Sequence, residues 1–435
     1  MRITRLAAGL ALSLAVLLLC LTPARADSVS AYRAAVDKEF AAWIAARWPE
    51  AEAAGVSRQT FETQTRGLKF DWDLPHLSLP DPAYAGGPAL PQSMKPKAPR
   101  HQPEFDSPGR YFSANNLNAL ASQGRAKYAQ YKDVLAAVQQ RFGVPASIIV
   151  AIWGRETGYG GVRLPYDALS AIATQGFAGM RKDVFTKEFV LALKVLQYGH
   201  VSRAEMRSSW AGAMGHTQFL PSDFLRYSID FDGDGAADIW NSTADALAST
   251  GNSLRDHGWI ASQAWGYEVS LPKGFDCTLQ GPDKARPFSD WIKLGIVRVK
   301  GRQFKPETLD DSGFLVLPAG MKGPAFLVTE NFSVLKKYNN SDVYALFVGH
   351  LADMIAYNSP ANFVGAWLPV ERFTRPRILD FQKVLVSRYG YDVGKVDGLV
   401  GFKTRQAIGL YEKRIGAPLT CYPSEKIVAS VLAQR

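Results

Sequence analysis

The run Ile148-Ile-Val-Ala-Ile-Trp-Gly-Arg-Glu-Thr-Gly-Tyr-Gly-Gly161 decides how this chain is read. Ile149, Ile152 and Glu156 fall at i, i+3 and i+7, one face of a helix, so the acid continues an apolar stripe. Gly158 is placed to end that helix just beyond it. Both features disfavour a carboxylate, because desolvation raises its pKa and a helix C-terminus repels negative charge. A carboxyl held protonated near neutral pH is what a general acid for glycoside cleavage requires. The plainer alternative is a glutamate exposed at a frayed helix end, and spacing leaves both readings open.

Outward from this run the pattern is mostly helical. Ser113 or Asn115 can cap a helix through Tyr131, residues 132–142 continue the apolar period, and Pro145 suits a helix start. Further helices are expected at 29–48, 183–199, 243–257, 284–295 and 341–356, with strand-like runs at 314–317 and 325–328. Nine prolines between Pro75 and Pro108 mark an extended loop, and Thr374-Arg-Pro376 marks a second boundary. The expected fold is mainly α with a small β element, followed by a compact helical module at 371–435. With 435 residues, 47% apolar and 21% charged, the composition is that of a globular protein with a sizeable core. Six His and three Cys are scattered singly, which excludes a zinc or iron–sulfur site of ordinary ligand spacing.

Residues 1–26 read as an export signal. Arg2 and Arg5 precede the apolar stretch Leu6–Leu21, and Ala24-Arg-Ala26 supplies a small-x-small cleavage pattern. Leu19 before Cys20 is a poor lipobox, so a lipoprotein anchor is the lesser alternative. The mature chain, 27–370 plus the module, is then expected in the periplasm with no membrane span. The full chain carries +10, and the module carries twelve basic against six acidic residues. Basicity concentrated in an exported tail points to the wall or an anionic polymer, not to nucleic acid. Cys277 and Cys421 lie far apart in sequence and in different expected domains, and the expectation is that they do not pair.

Three further segments carry chemistry. In Ser208-Ser-Trp-Ala-Gly-Ala-Met-Gly-His-Thr-Gln-Phe-Leu-Pro-Ser222, small residues at 211–213 and 215 allow close backbone approach. Gln218 could hydrogen-bond a sugar amide there, or be satisfied by backbone within a packing site. Asp230-Phe-Asp-Gly-Asp-Gly-Ala-Ala-Asp-Ile-Trp-Asn241 reproduces the first nine positions of an EF-hand loop, but Asn241 replaces the final bidentate Glu. Asp245 could supply that ligand. The clustered carboxylates imply a structural hard cation, Ca²⁺ or Na⁺, and otherwise form a solvated acidic turn. In the tail, Gly394, Asp397, Gly398 and Gly401 are turn residues before a helix beginning at Thr404.

Together these segments resemble the B-type lytic murein transglycosylases, over roughly residues 103–368, with Gln102-Pro-Glu-Phe105 similar to the start of the family's domain. Residues 371–435 resemble a three-helix peptidoglycan-binding module. The resemblance implies a lysozyme-like catalytic domain, Glu156 as the catalytic acid and base, and no cofactor for the chemistry. It implies glycan contacts at Ser209, Gln218, Tyr338, Tyr344 and Arg181. In the acidic loop it implies cation ligands at Asp230, Asp232, Asp234, the Ala236 carbonyl and Asp245. The implied partner is the peptidoglycan glycan strand, cut between MurNAc and GlcNAc without water; a hydrolytic muramidase or a non-catalytic wall-binding protein are the rivals. Two departures stand out. A groove tyrosine of the family is Ser253 here, and Tyr411-Glu412 replaces the usual Phe-Gln of the module. The module itself is expected to tether the enzyme without taking part in the chemistry.

Overall fold

The computed structural model describes residues 22–80, 89–91, 94 and 107–434. Reading of the export signal up to Leu21, most of the proline-rich stretch and residues 102–105 lies outside them. The chain folds into two units, one of Met1–Ala98 with Arg163–Ser242, the other of Pro99–Val162 with Thr243–Arg435. Among the described residues no single helix is long and apolar enough to cross a membrane.

In the first unit a helix at Thr22–Ala45 presents Tyr32, Val36 and Phe40 from one face, all but fully buried. The chain breaks at Arg47, and a short helix restarts at Trp48–Ala53 with Pro49 in its first turn, where a missing amide hydrogen costs nothing. Helix Lys182–Tyr198 packs on Ala168–Ala178 and Pro221–Tyr227. Phe40, Phe70 and Phe177 meet edge-to-face, as do Trp43 and Phe177, while Trp43 stacks on Phe40 and tilts against Phe189. Tyr166–Asp167 and Arg207–Ser208 form a two-stranded antiparallel ribbon.

The second unit is a helical bundle beside a sheet. Helices Ala114–Gln130, Lys132–Phe142, Ala146–Thr157 and Thr243–Asp256 pack with Glu330–Tyr338 and Asp342–Tyr357. The sheet runs, in spatial order, Arg286–Pro287, Ser312–Val316, Ala325–Val328, Gly266–Ser270 and Val297–Arg298. Every neighbouring pair is antiparallel, with Phe314 opposite Val328 and Val316 opposite Phe326. The fold is thus mostly helical with a small sheet. The helix expected at 284–295 is only Phe288–Lys293, because Pro287 blocks extension at one end and Gly295, at φ 84°, turns the chain at the other.

The last three helices are Arg375–Tyr389, Phe402–Arg414 and Glu425–Leu432. The second begins at Phe402, two residues before the expected start, and Thr404 is buried with its hydroxyl receiving Gln382 Nε2 at 3.0 Å. Phe381, Leu385, Ile408 and Val428 form their core together with Ala319 of the body, and Trp367 and Val370 pack against it. The expectation for the cysteines is overturned: Cys277 and Cys421 form a disulfide with Cα atoms 6.1 Å apart. Their 144-residue separation misled because the tail docks on the sheet. The Met321 amide donates to Thr420 O at 2.8 Å, and a Cβ on Gly320 would stand 2.2 Å from that carbonyl, so only glycine allows this approach. The replacement at Tyr411-Glu412 has its reason here too. The buried Glu412 carboxylate accepts from the Thr420 amide at 2.8 Å, the Thr420 hydroxyl at 2.5 Å and the Cys421 amide at 2.9 Å, clasping the turn that carries the disulfide.

Candidate active site

Glu156 is the penultimate residue of helix Ala146–Thr157, and Gly158, at φ 55°, caps it with its amide donating to Gly154 O. The turn beyond is locked by Tyr159, whose hydroxyl donates to Leu120 O at 2.7 Å. Glycines at 154 and 124 make room for that ring: a Cβ on Gly154 would lie 2.4 Å from Tyr159 Cζ, and one on Gly124 2.5 Å from the hydroxyl oxygen. The Gly160 amide donates to Thr157 Oγ1 at 3.1 Å. This helix end is closed by several bonds and is not frayed.

The Glu156 side chain is half-buried, and its Oε1 accepts from the Tyr344 hydroxyl at 2.5 Å. Burial raises its pKa above the ordinary carboxyl value; the bond from Tyr344 and the charge of Arg155 only partly oppose this. Tyr344 is buried on helix Asp342–Tyr357 and stays a phenol, its pKa pushed well above 10 by burial and by the Glu156 charge. Tyr338, half-buried at the end of helix Glu330–Tyr338, acts on Tyr344 in the same direction. The structure therefore brings Glu156, Tyr344 and Tyr338 together. Sequence reasoning missed two neighbours. Arg155 Nη2 donates to the Tyr111 hydroxyl at 2.5 Å, and the guanidinium lies 4.7 Å from the Tyr111 ring centroid and 5.1 Å from that of Phe347. No sequence pattern links Tyr111 to residue 155.

Asp353 is a second carboxyl with a raised pKa, pushed up to about 7 by burial, and it accepts from Trp265 Nε1 at 3.3 Å. It lies nine residues beyond Tyr344 on the same helix, about 13 Å along the axis at 1.5 Å per residue. Ser253, where the family tyrosine was expected, is buried in helix Thr243–Asp256 within 3.4 Å of His257 Nδ1. It faces the protein interior.

In the first unit, Ser209 and Gln218 share one tight loop. The Ser209 amide donates to Ala213 O at 2.8 Å, and Gln218 Nε2 donates to Ala213 O at 3.2 Å and to Gly215 O at 3.0 Å. The amide nitrogen of Gln218 is thus satisfied by backbone, the plainer of its two readings, while its side-chain oxygen stays open to another donor. Gly212 and Gly215 let the loop lie against Ile172 and against the Ile239 carbonyl. Trp210 in this loop is 41% exposed, 5.5 Å from the His76 ring, an aromatic face that sequence reasoning passed over. Arg181 is exposed at the start of helix Lys182–Tyr198, its guanidinium 5.4 Å from the Phe185 ring.

The acidic loop is an ordered turn series. Asp230 accepts from the Gly233 and Gly235 amides at 2.7 and 2.9 Å, Asp232 from the Asp234 amide and the Ser242 hydroxyl, and Asp234 from the Ala236 amide at 2.9 Å. Gly235, at the sixth position, has φ 96°, the left-handed conformation the EF-hand turn demands. Asp238, at the ninth, accepts from the Trp240 and Asn241 amides. Asp245 belongs to the other unit, buried in the first turn of helix Thr243–Asp256.

Residues 39–353 match the family model described as Transglycosylase SLT domain. The membrane-bound lytic murein transglycosylase B of Escherichia coli (strain K12) is 31% identical over 237 residues, 52% of this chain and 61% of that protein. The chain thus spans about three fifths of the length of that curated relative. Among solved structures, SltB3 from Pseudomonas aeruginosa in complex with NAG-NAM-pentapeptide has 38% identity and a TM-score of 0.77, covering 90% of this chain and 99% of that one. The same protein has also been solved with NAG-anhNAM-pentapeptide, at 36% identity and a TM-score of 0.74 over the same shares. Escherichia coli Slt35 in complex with calcium has 27% identity and a TM-score of 0.50, covering 59% of this chain and 80% of that one. By the extent of the family match and the agreement of fold, the chain belongs to the transglycosylase SLT domain family.

Proposed function

We propose that this protein is a periplasmic lytic transglycosylase that cleaves the MurNAc–GlcNAc β-1,4 bond of peptidoglycan without water. The observation that carries the reading is the Glu156 carboxyl, kept protonatable at a closed helix end and held by a single phenol. Glu156 protonates the leaving oxygen; as carboxylate it then takes the proton of the muramyl 6-hydroxyl, which closes a 1,6-anhydro ring. The attacking hydroxyl is already tethered to the reacting sugar, an advantage in effective molarity over solvent. A hydrolase pairs its acid with a second carboxyl at roughly 5–10 Å. The groups bearing on Glu156 are Tyr344 and Arg155, and Asp353 stands well beyond them along its helix. The NAG-anhNAM-pentapeptide complex of SltB3 supports an anhydro product.

Ser209, Gln218, Tyr338, Tyr344 and Arg181 are assigned to the glycan, and Trp210 supplies a face on which a sugar ring can stack. The acidic loop is assigned a structural Ca²⁺ through Asp230, Asp232, Asp234, the Ala236 carbonyl and Asp245. The oxygen-rich donor set fits a hard cation, and the calcium complex of Slt35 supports the choice. The cation takes no part in the chemistry. Residues 1–26 serve as a cleaved export signal, and 371–435 add affinity for the wall. Digestion of purified sacculi in ¹⁸O-water tests the reaction. Unlabelled 1,6-anhydromuramyl ends are expected, whereas labelled, reducible muramic acid ends would reassign the protein to the muramidases.

A further inference from the structure

The junction between the tail and the body closes on a buried cation. Arg405 belongs to the second tail helix, yet it is only 3% exposed and each nitrogen of its guanidinium has a partner. Its Nε donates to Gln280 Oε1 at 2.9 Å, Nη1 to Val400 O at 3.0 Å, and Nη2 stands 3.4 Å from Asp342 Oδ2. The other oxygen of Asp342 takes Lys336 Nζ at 2.8 Å, from the preceding helix. Burial alone would raise the Asp342 pKa, but Lys336 and Arg405 together hold it below the ordinary range, so the carboxylate persists.

Asp342 is the first residue of helix Asp342–Tyr357, and Tyr344 is the third, its amide donating to the capping Ser341 Oγ at 3.2 Å. The clamp on Asp342 therefore fixes the helix turn from which the Tyr344 phenol reaches Glu156. A planar guanidinium with a partner at each nitrogen is a stiffer brace than a lysine, whose ammonium could meet only part of that set. Misplacing a catalytic group by about 1 Å can cost about 100-fold in rate.

We propose that Arg405 of the C-terminal module is a positioning residue for the reaction, acting through Asp342 and the first turn of its helix to hold Tyr344 on Glu156. The inference rests on the assignment of Glu156 as the acid and base. It replaces the expectation of a tail that only tethers. The module thus joins the body by the disulfide, on the turn that Glu412 clasps, and through Arg405 it also braces the reaction site.

The test is a double-mutant cycle in the full chain, comparing Arg405→Met, Tyr344→Phe and the pair. Arg405→Met is expected to lower kcat between about 10- and 100-fold with KM within twofold. The pair is expected to lose no more than Tyr344→Phe alone, because the brace has nothing left to position. Arg405→Lys should recover part of the loss. Losses that multiply in the pair would overturn the proposal. A second readout needs no turnover: ¹³C titration of the Glu156 carboxyl, assigned by its absence in Glu156→Gln. The groups acting on that carboxyl are Arg155 and Tyr344, with Tyr338 acting on Tyr344. The bond from Tyr344 lowers the Glu156 pKa, so Arg405→Met and Tyr344→Phe should both move it upward, and an unmoved titration in Arg405→Met defeats the brace. Asp342→Asn, which keeps every other Arg405 contact, should move it the same way and guards against a misfolded tail. A wild-type protein without turnover on sacculi would sink the proposed function and leave the titration to judge the brace.

Discussion

Glu156 and Glu412 each stand near the C-terminal end of a helix in the second unit, and the donors around them differ. Glu412 is met by two backbone amides and a hydroxyl at 2.5–2.9 Å, all from the turn it holds. Glu156 receives one phenol at 2.5 Å, from a residue 188 positions away, and keeps part of its surface open. Three donors commit a carboxylate to structure, since charge-assisted bonds are strong and each fixes one of its oxygens to the turn. A single donor at a helix terminus of the wrong polarity leaves a carboxyl that can take up and release one. The number of donors aimed at a carboxyl therefore separates a clasp from a working acid better than its depth of burial does.

The largest effect that could break this comparison is on rate. Glu156→Gln preserves the volume and can still accept from Tyr344, but has no proton to give. Turnover on sacculi should fall by at least about 10²–10⁴-fold, the range of general acid–base catalysis, with the fold unchanged by circular dichroism. Activity within a few-fold of wild type would remove Glu156 from the mechanism. Glu412→Gln should do the reverse on both counts.

Next in size are losses of stability at the clasp. Opening the Cys277–Cys421 bond, by reduction or by Cys277→Ala with Cys421→Ala, should cost about 2–5 kcal/mol, given the length of chain it closes. Glu412→Gln should cost about 1–3 kcal/mol, because one of its donors must lose its acceptor. Denaturant melts of the full chain measure both. A Glu412→Gln protein as stable as wild type would show that the three bonds hold nothing together.

Part of this contrast was legible in the sequence. The 3.6-residue period and Gly158 placed Glu156 at a helix end, and the family resemblance supplied Tyr344 and Tyr338. The bond between Tyr344 and Glu156 has no local signal, because it depends on how two distant helices cross. Helix Ala168–Ala178 went unread because it is buried nearly all round and so lacks an amphipathic stripe. The strand Gly266–Ser270 is short and flanked by tryptophan and proline, too little pattern to mark it. Glu412 was visible as a departure from the module's usual Gln, but its reason lies in the turn at Thr420-Cys421. The disulfide was misjudged for the same cause: separation in sequence says nothing once the tail packs on the sheet.

The smallest expected effect is the dependence of stability on pH, and it sharpens the comparison most directly. Burial lifts the Glu156 pKa in the folded chain above its unfolded value. A raised carboxyl favours the fold while it is protonated, so its contribution is fully present below the unfolded pKa and is lost as pH rises through the folded one. Above that window the wild-type fold carries a desolvated negative charge at a helix C-terminus. Glu156→Gln never acquires that charge. Its melting temperature should therefore exceed that of wild type at pH 8, and the gap should shrink at pH 4 and below, where Glu156 is protonated in both states. Glu412→Gln should instead melt below wild type at pH 8, since its carboxylate is the acceptor of the clasp. Melting curves of the three proteins across pH 4–8 decide the matter. A Glu156→Gln gap that keeps the same size throughout would mean that Glu156 titrates as an ordinary surface acid, and the distinction between the two carboxyls would fail.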